Sequence, residues 1–117
     1  MQEREISFGN IYNHPYDEGR KIVVADIENP VLELFATTGV EKVDGNYVLA
    51  PLGFGTASPT ELVGEYVETL DLEQMKDAIR QGYKLFMKAP VPDNIFDILE
   101  KASKKPPVII NIPLHEP

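Results

Sequence analysis

Three apolar runs, at residues 21–27, 46–52 and 83–88, are each followed by a short proline-containing turn and then by an amphipathic stretch. The turns are Glu28-Asn29-Pro30, Gly53-Phe54-Gly55-Thr56-Ala57-Ser58-Pro59 and Ala89-Pro90-Val91-Pro92-Asp93. Strand–loop–helix units carry this punctuation, and it predicts an α/β fold. The expected sheet is mixed and mostly parallel, flanked by helices, and ends in a βαβ unit that crosses right-handed.

The run Lys21-Ile22-Val23-Val24-Ala25-Asp26-Ile27 has the β-branched continuity of a strand buried on both faces, as in parallel sheets. Asn29 as cap and Pro30 at the first helical position predict a short helix stopped by Gly39, with a strand over 31–36 as the competing reading. Asp44-Gly45, between 40–43 and 46–49, is a type I′ hairpin signal. Ser58-Pro59-Thr60-Glu61 has the form of a capping box and predicts a helix over 60–69. Asp71 predicts the cap of a second helix, 72–81, with Leu72, Met75, Ala78 and Ile79 inward and Gly82 as its stop. After Gly82, alternation of Tyr83, Leu85 and Met87 with Lys84, Phe86 and Lys88 predicts a strand. Asp93 predicts the cap of a helix over 94–103, and 108–112 a final buried strand, with Leu99 and Ile109 in the core. Residues 5–8 suggest a short edge strand, while 9–20 read as loop, so that 1–20 is a loop-rich segment and 113–117 an extended, proline-stiffened tail.

The chain has 117 residues, which suits a single domain, 1–117. No apolar run approaches the roughly 18 residues of a membrane span, and the start shows no basic-then-apolar leader. Cysteine is absent, which excludes disulfides, thiolate nucleophiles and Cys-based zinc sites. These features predict a cytoplasmic protein without a membrane partner. The net charge is −8, with residues 1–75 carrying a balance of −10 and residues 76–117 a balance of +2. Such a surface repels phosphate backbones, so nucleic acid is not the expected ligand.

Candidate chemistry gathers at the strand ends. Gly53, Gly55, Thr56 and Ser58 lie in a loop whose glycines allow close backbone approach and whose hydroxyls and free N–H groups could hold an anion. The loop has no lysine or arginine and matches neither a Walker A loop nor a dinucleotide fingerprint; its plain alternative is a structural turn. Asp26 and Glu28 follow the first long strand, where paired carboxylates suit Mg²⁺, and magnesium could bridge them to a bound anion. Against that, such acids routinely only support and solvate a turn. His14 and His115 have no cluster of further ligands around them, so no metal site and no cofactor is expected. Lys76, Arg80, Lys84 and Lys88 recur every fourth residue; on one helix they would form a basic stripe that docks an acidic partner. Gly82 is expected to break that stripe into two helix and two strand cations, paired with acids such as Glu73 and Asp77.

No catalytic constellation emerges, and Ser58 is not in a nucleophile elbow. The sequence therefore favours a non-catalytic module that binds another protein chain or a second copy of itself. The alternative is a small-ligand-binding domain or small enzyme using Asp26, Glu28, Gly53, Gly55, Thr56 and Ser58.

Overall fold

A computed structural model describes residues 2–15, 17–49, 55–58 and 64–112. Its strands are β1 (Gln2–Ile6), β2 (Asn10–Asn13), β3 (Lys21–Glu28), β4 (Leu34–Val43), β5 (Asn46–Leu49), β6 (Gly55–Ala57), β7 (Tyr66–Thr69) and β8 (Val108–Ile112). Among the described residues the α-helices are α1 (Leu72–Gly82) and α2 (Asp93–Ser103). Every strand pairing among the described residues is antiparallel. This overturns the mostly parallel α/β sheet: the fold is an antiparallel, curled half-barrel sheet with two helices.

The large sheet runs β5-β4-β3-β2-β7, with β6 also on β4, and β1 and β8 form a separate two-stranded ribbon. The curl is visible in one contact. Tyr47 on β5 hydrogen-bonds Glu68 on β7, so side chains from the two ends of the strand order meet. Burial together with that carboxylate pushes the Tyr47 phenol up to about 12.

Two apolar clusters sandwich β3. Val23 and Ala25 join Ile11, Leu49, Leu70 and the helical side chains Met75, Ile79 and Leu99. Ile22, Val24 and Ile27 join Ile6, Tyr12, Phe35 and Ile110 on the other side. The run at 21–27 is thus buried on both faces as expected, but the cover is helices on one face and the β1–β8 ribbon on the other. An antiparallel strand with both faces covered reads like a parallel one.

The remaining differences have local causes. No helix follows Asn29-Pro30; Asn29 (φ 52°) and Glu33 (φ 54°) bracket a turn, and the chain returns as β4, with Gly39 inside that strand opposite Ile22. The segment read as loop contains β2, whose two apolar residues are hidden between Asn10 and Asn13. Of the expected helix over 60–69, residues 60–63 lie outside the described residues and Tyr66–Thr69 is β7. Tyr83–Met87 is not a strand: the helix passes through buried Gly82 into a π-helical turn. The Lys88 amide donates to the Tyr83 carbonyl at 2.6 Å, and Lys88 (φ 52°, ψ 39°) closes the turn in the left-handed region. Only Tyr83 of that segment enters the core, so its alternation does not reflect burial. Without a strand there, no βαβ unit exists, and β8 pairs antiparallel with β1. Ile109 is consequently 63% exposed and Ile110 is the buried residue.

Other expectations hold. Val43 pairs with Asn46 across Asp44 (φ 52°) and Gly45 (φ 83°), the two positive φ values of a type I′ turn. Asp71 accepts from the Gln74 amide at 2.8 Å while Gln74 accepts from the Asp71 amide at 2.9 Å, a full capping box. Met75, Ala78 and Ile79 are buried on α1, and Leu99 on α2. The expected cap of α2 does not hold: Pro92 occupies the cap position without a side-chain hydrogen bond, and Asp93 lies in the first turn.

Candidate functional site

Antiparallel pairing removes the edge of parallel strand ends on which the sequence gathered its candidate residues. It still brings two of them into one row. Ala36 on β4 pairs with Asp26 on one side and Thr56 on the other, two strand spacings of roughly 5 Å apart. The register shifts between Val24 and Asp26, leaving Ala25 as an extra residue. That bulge keeps Val24 and Ile27 in one apolar cluster without driving Asp26 between them. Asp26 instead lies 2.9 Å from the Lys105 ammonium, which also donates to the Ile27 carbonyl at 3.2 Å. The Asp26 carboxylate thus ties β3 to the segment between α2 and β8. Glu28 ends β3 in solvent, Gly55 and Thr56 are exposed on β6, Ser58 is half-buried, and Gly53 lies outside the described residues. Among the described residues no three His, Asp or Glu side chains converge on a metal position. His14 is half-buried beyond β2, and His115 lies outside the described residues.

A groove lies elsewhere on the molecule. Its volume is about 720 Å³, and it is lined by Glu18 to Lys21, by Gly39, Val40 and Glu41 of β4, by Val48 of β5, and by Phe86 and Met87. At Gly39 an added Cβ would meet nothing within 4 Å, so that part of the wall is bare backbone. Leu85, Phe86 and Met87 are consecutive and 45%, 55% and 46% exposed. They lie on the π-helical turn that ends the helical segment, where only Tyr83 reaches the core. The signal in the sequence was Phe86, an aromatic residue on the face that alternation assigns to lysines.

The basic row runs through Lys76 and Arg80 on α1 and Lys84 on the π-helical turn to Lys88, which lies past the helix in the left-handed region. Its first half is neutralised: Lys76 pairs with Glu100 at 2.8 Å and Glu73 at 3.7 Å, and Arg80 with Asp77 at 2.6 Å. Both cations also lie over the Phe96 ring. The hydrogen bond from Lys76 holds the Glu100 carboxyl below its usual range, and the same bond raises the Lys76 ammonium. Lys84 and Lys88 are exposed and make no ion pair among the described residues. They bracket Leu85-Phe86-Met87 with positive charge on a chain whose net charge is −8.

Comparison with family models, with curated proteins and with solved structures returns no match to this chain.

Proposed function

We propose that this chain is a non-catalytic protein-binding module whose docking surface is the groove beside Leu85-Phe86-Met87. The observation that carries the reading is that run of three large apolar side chains, each about half exposed, of which Phe86 and Met87 line a concavity. Singly exposed apolar residues are ordinary, but a contiguous set at a groove marks an interaction surface. Aromatic and methionine side chains suit that role, because they offer large contact area and adapt to the partner's shape. The charges choose the partner. Lys84 and Lys88 flank the apolar residues, so the complementary segment carries apolar anchors beside aspartate or glutamate. Within the groove Glu18 and Glu41 offset Arg20 and Lys21, which leaves Lys84 and Lys88 as the positive excess that faces an acidic segment. A cytoplasmic setting goes with this reading, supported by the cysteine-free composition.

Selection of the folded chain against a random peptide display library tests the proposal. Enriched peptides are expected to combine apolar anchors with acids, and Phe86→Ser is expected to weaken the best of them by at least about tenfold, the cost of losing an aromatic anchor. Far-ultraviolet circular dichroism of the variant should be unchanged, because Phe86 is exposed. Enrichment of basic peptides, or binding indifferent to Phe86→Ser, contradicts the reading. Sedimentation equilibrium of the chain alone distinguishes a second copy as the occupant: a dimer that dissociates on Phe86→Ser assigns the groove to self-association.

A further inference from the structure

A second, smaller cleft of about 320 Å³ lies where β1, β2 and β7 meet, lined by Arg4, Glu5, Ser7, Asn10, Tyr12 and Tyr66. Its floor is polar and unusually buried. Asn10 is 6% exposed and Tyr12 is 1% exposed. Groups this deep must find hydrogen-bond partners, and following each proton shows which group is left over.

Asn10 Oδ1 accepts from Ser7 Oγ at 3.0 Å and from Thr69 Oγ1 at 2.7 Å, which fills both its lone pairs and spends both hydroxyl protons. Tyr66 and Thr69 hydroxyls are 2.7 Å apart. With the Thr69 proton on Asn10, Tyr66 is the donor of that pair. Asn10 Nδ2 donates to the Tyr12 hydroxyl at 3.0 Å, so Tyr12 is an acceptor there and its own proton has no acceptor among the described residues. Burial pushes the Tyr12 phenol above its ordinary value, against the opposing Asn10 hydrogen bond and Arg4 charge, so the proton stays in place at neutral pH. Arg4 stands over the Tyr12 ring, 5.5 Å from its centroid, and donates to the Gly64 carbonyl at 2.9 Å. These contacts fix a positive charge next to the unspent phenol donor. Tyr66, 50% exposed, meets the Tyr12 ring edge-on at 6.0 Å and 64°, giving the cleft an aromatic wall.

We propose that this cleft binds the carboxylate of a small organic acid, with Tyr12 Oη and the Arg4 guanidinium as its donors and Tyr66 against its apolar body. A fixed cation beside a desolvated neutral donor is what a carboxylate pairs with most strongly. A concave site with a few convergent polar groups and an aromatic wall is the usual form of a small-molecule pocket. The cleft is less than half the volume of the groove beside Phe86, which favours a small ligand. Glu5, exposed on β1 at the rim, disfavours dianions and so weighs against phosphate.

Benzoate, its uncharged isostere benzamide and inorganic phosphate are titrated separately into ¹⁵N-labelled protein while amide shifts are followed. Benzoate is expected to shift Arg4, Asn10, Tyr12 and Tyr66 saturably, and benzamide and phosphate to bind at least about tenfold more weakly, a loss of 1.4 kcal/mol. Arg4→Gln and Tyr12→Phe are each expected to weaken benzoate by at least the same factor. Arg4→Gln is decisive if Tyr12→Phe unfolds, because Arg4 is only half-buried. Absence of saturable benzoate shifts in the unmodified protein, equal binding of benzamide, tighter binding of phosphate, or shifts mapping away from this cleft each overturn the proposal.

Discussion

Replacing Ile110 by alanine removes three carbons from the cluster formed with Ile6, Tyr12, Ile22, Val24, Ile27 and Phe35, where Ile110 is fully buried. Replacing its neighbour Ile109 removes the same atoms from a side chain that is 63% exposed. The pairing of β1 with β8 sets the difference, since Glu5↔Ile109 and Arg4↔Ile110 lie on opposite faces of the ribbon and a one-residue slip would exchange them. Truncating a buried isoleucine costs about 2–5 kcal/mol in lost transfer energy and residual cavity. The exposed one keeps roughly a third of its burial, which at about 25 cal/mol per Å² leaves less than about 1 kcal/mol to lose. Urea titrations with tryptophan-free detection by far-ultraviolet circular dichroism measure both. With a slope of about 1–3 kcal/mol per molar, Ile110→Ala is expected to lower the midpoint by about 1–2 M and Ile109→Ala by a few tenths. An equal or larger loss for Ile109→Ala would refute the register of the ribbon and the second core with it.

Gly9→Ala is expected to cost at least about 2 kcal/mol in the same titration, because Gly9 sits at φ +85° and an added Cβ drives into the Leu70 carbonyl oxygen; a neutral effect contradicts the Gly9–Leu70 approach. The Tyr47 phenol, raised from its ordinary 10.0 to about 12, contributes stability that is complete below pH 10.0 and lost as pH rises toward 12, because the unfolded chain ionises first. Following the Tyr47 ring by NMR should show that late titration, and Glu68→Gln should bring it down; no change on Glu68→Gln contradicts the contact between β5 and β7. The Glu100 carboxyl, held down mainly by the Lys76 hydrogen bond, contributes stability present above its ordinary range and lost as pH falls through the depressed value. Glu100→Gln should therefore flatten the acid limb of a stability–pH profile and leave neutral-to-alkaline slopes unchanged; an unaltered acid limb argues against the α1–α2 ion pair.

Local chemistry was legible where one residue type admits one conformation. Asp44-Gly45 named its turn, and Asp71 named its cap, because both signals are satisfied within four residues. The buried run at 21–27 was legible as a strand, yet its continuous burial pointed to parallel neighbours when the cover is the β1–β8 ribbon, closed by pairing residues more than one hundred positions apart. No local pattern encodes that closure. Gly82 and Gly39 failed as punctuation for a related reason: tertiary packing carries a helix through one glycine and a strand through the other, at about 1 kcal/mol each relative to alanine. At the strand-end residues, Asp26 is engaged by Lys105, 79 positions later, which no spacing rule reveals. The groove was not legible, since Lys84 and Lys88 read as strand cations and Phe86 as a residue of their face, apart from Leu85 and Met87. Arg4, Asn10, Tyr12 and Tyr66 were not legible as a set, because β2 was hidden by its asparagines and β7 by the helical spacing of Tyr66 and Val67.

Amide chemical-shift mapping of the best acidic display peptide onto ¹⁵N-labelled protein tests the docking surface most directly. The account predicts saturable shifts at Gly39, Val40, Glu41, Val48 and Lys84 through Lys88, weakened at least about tenfold by Phe86→Ser. Shifts that leave the groove untouched, or that survive Phe86→Ser at full affinity, would contradict it.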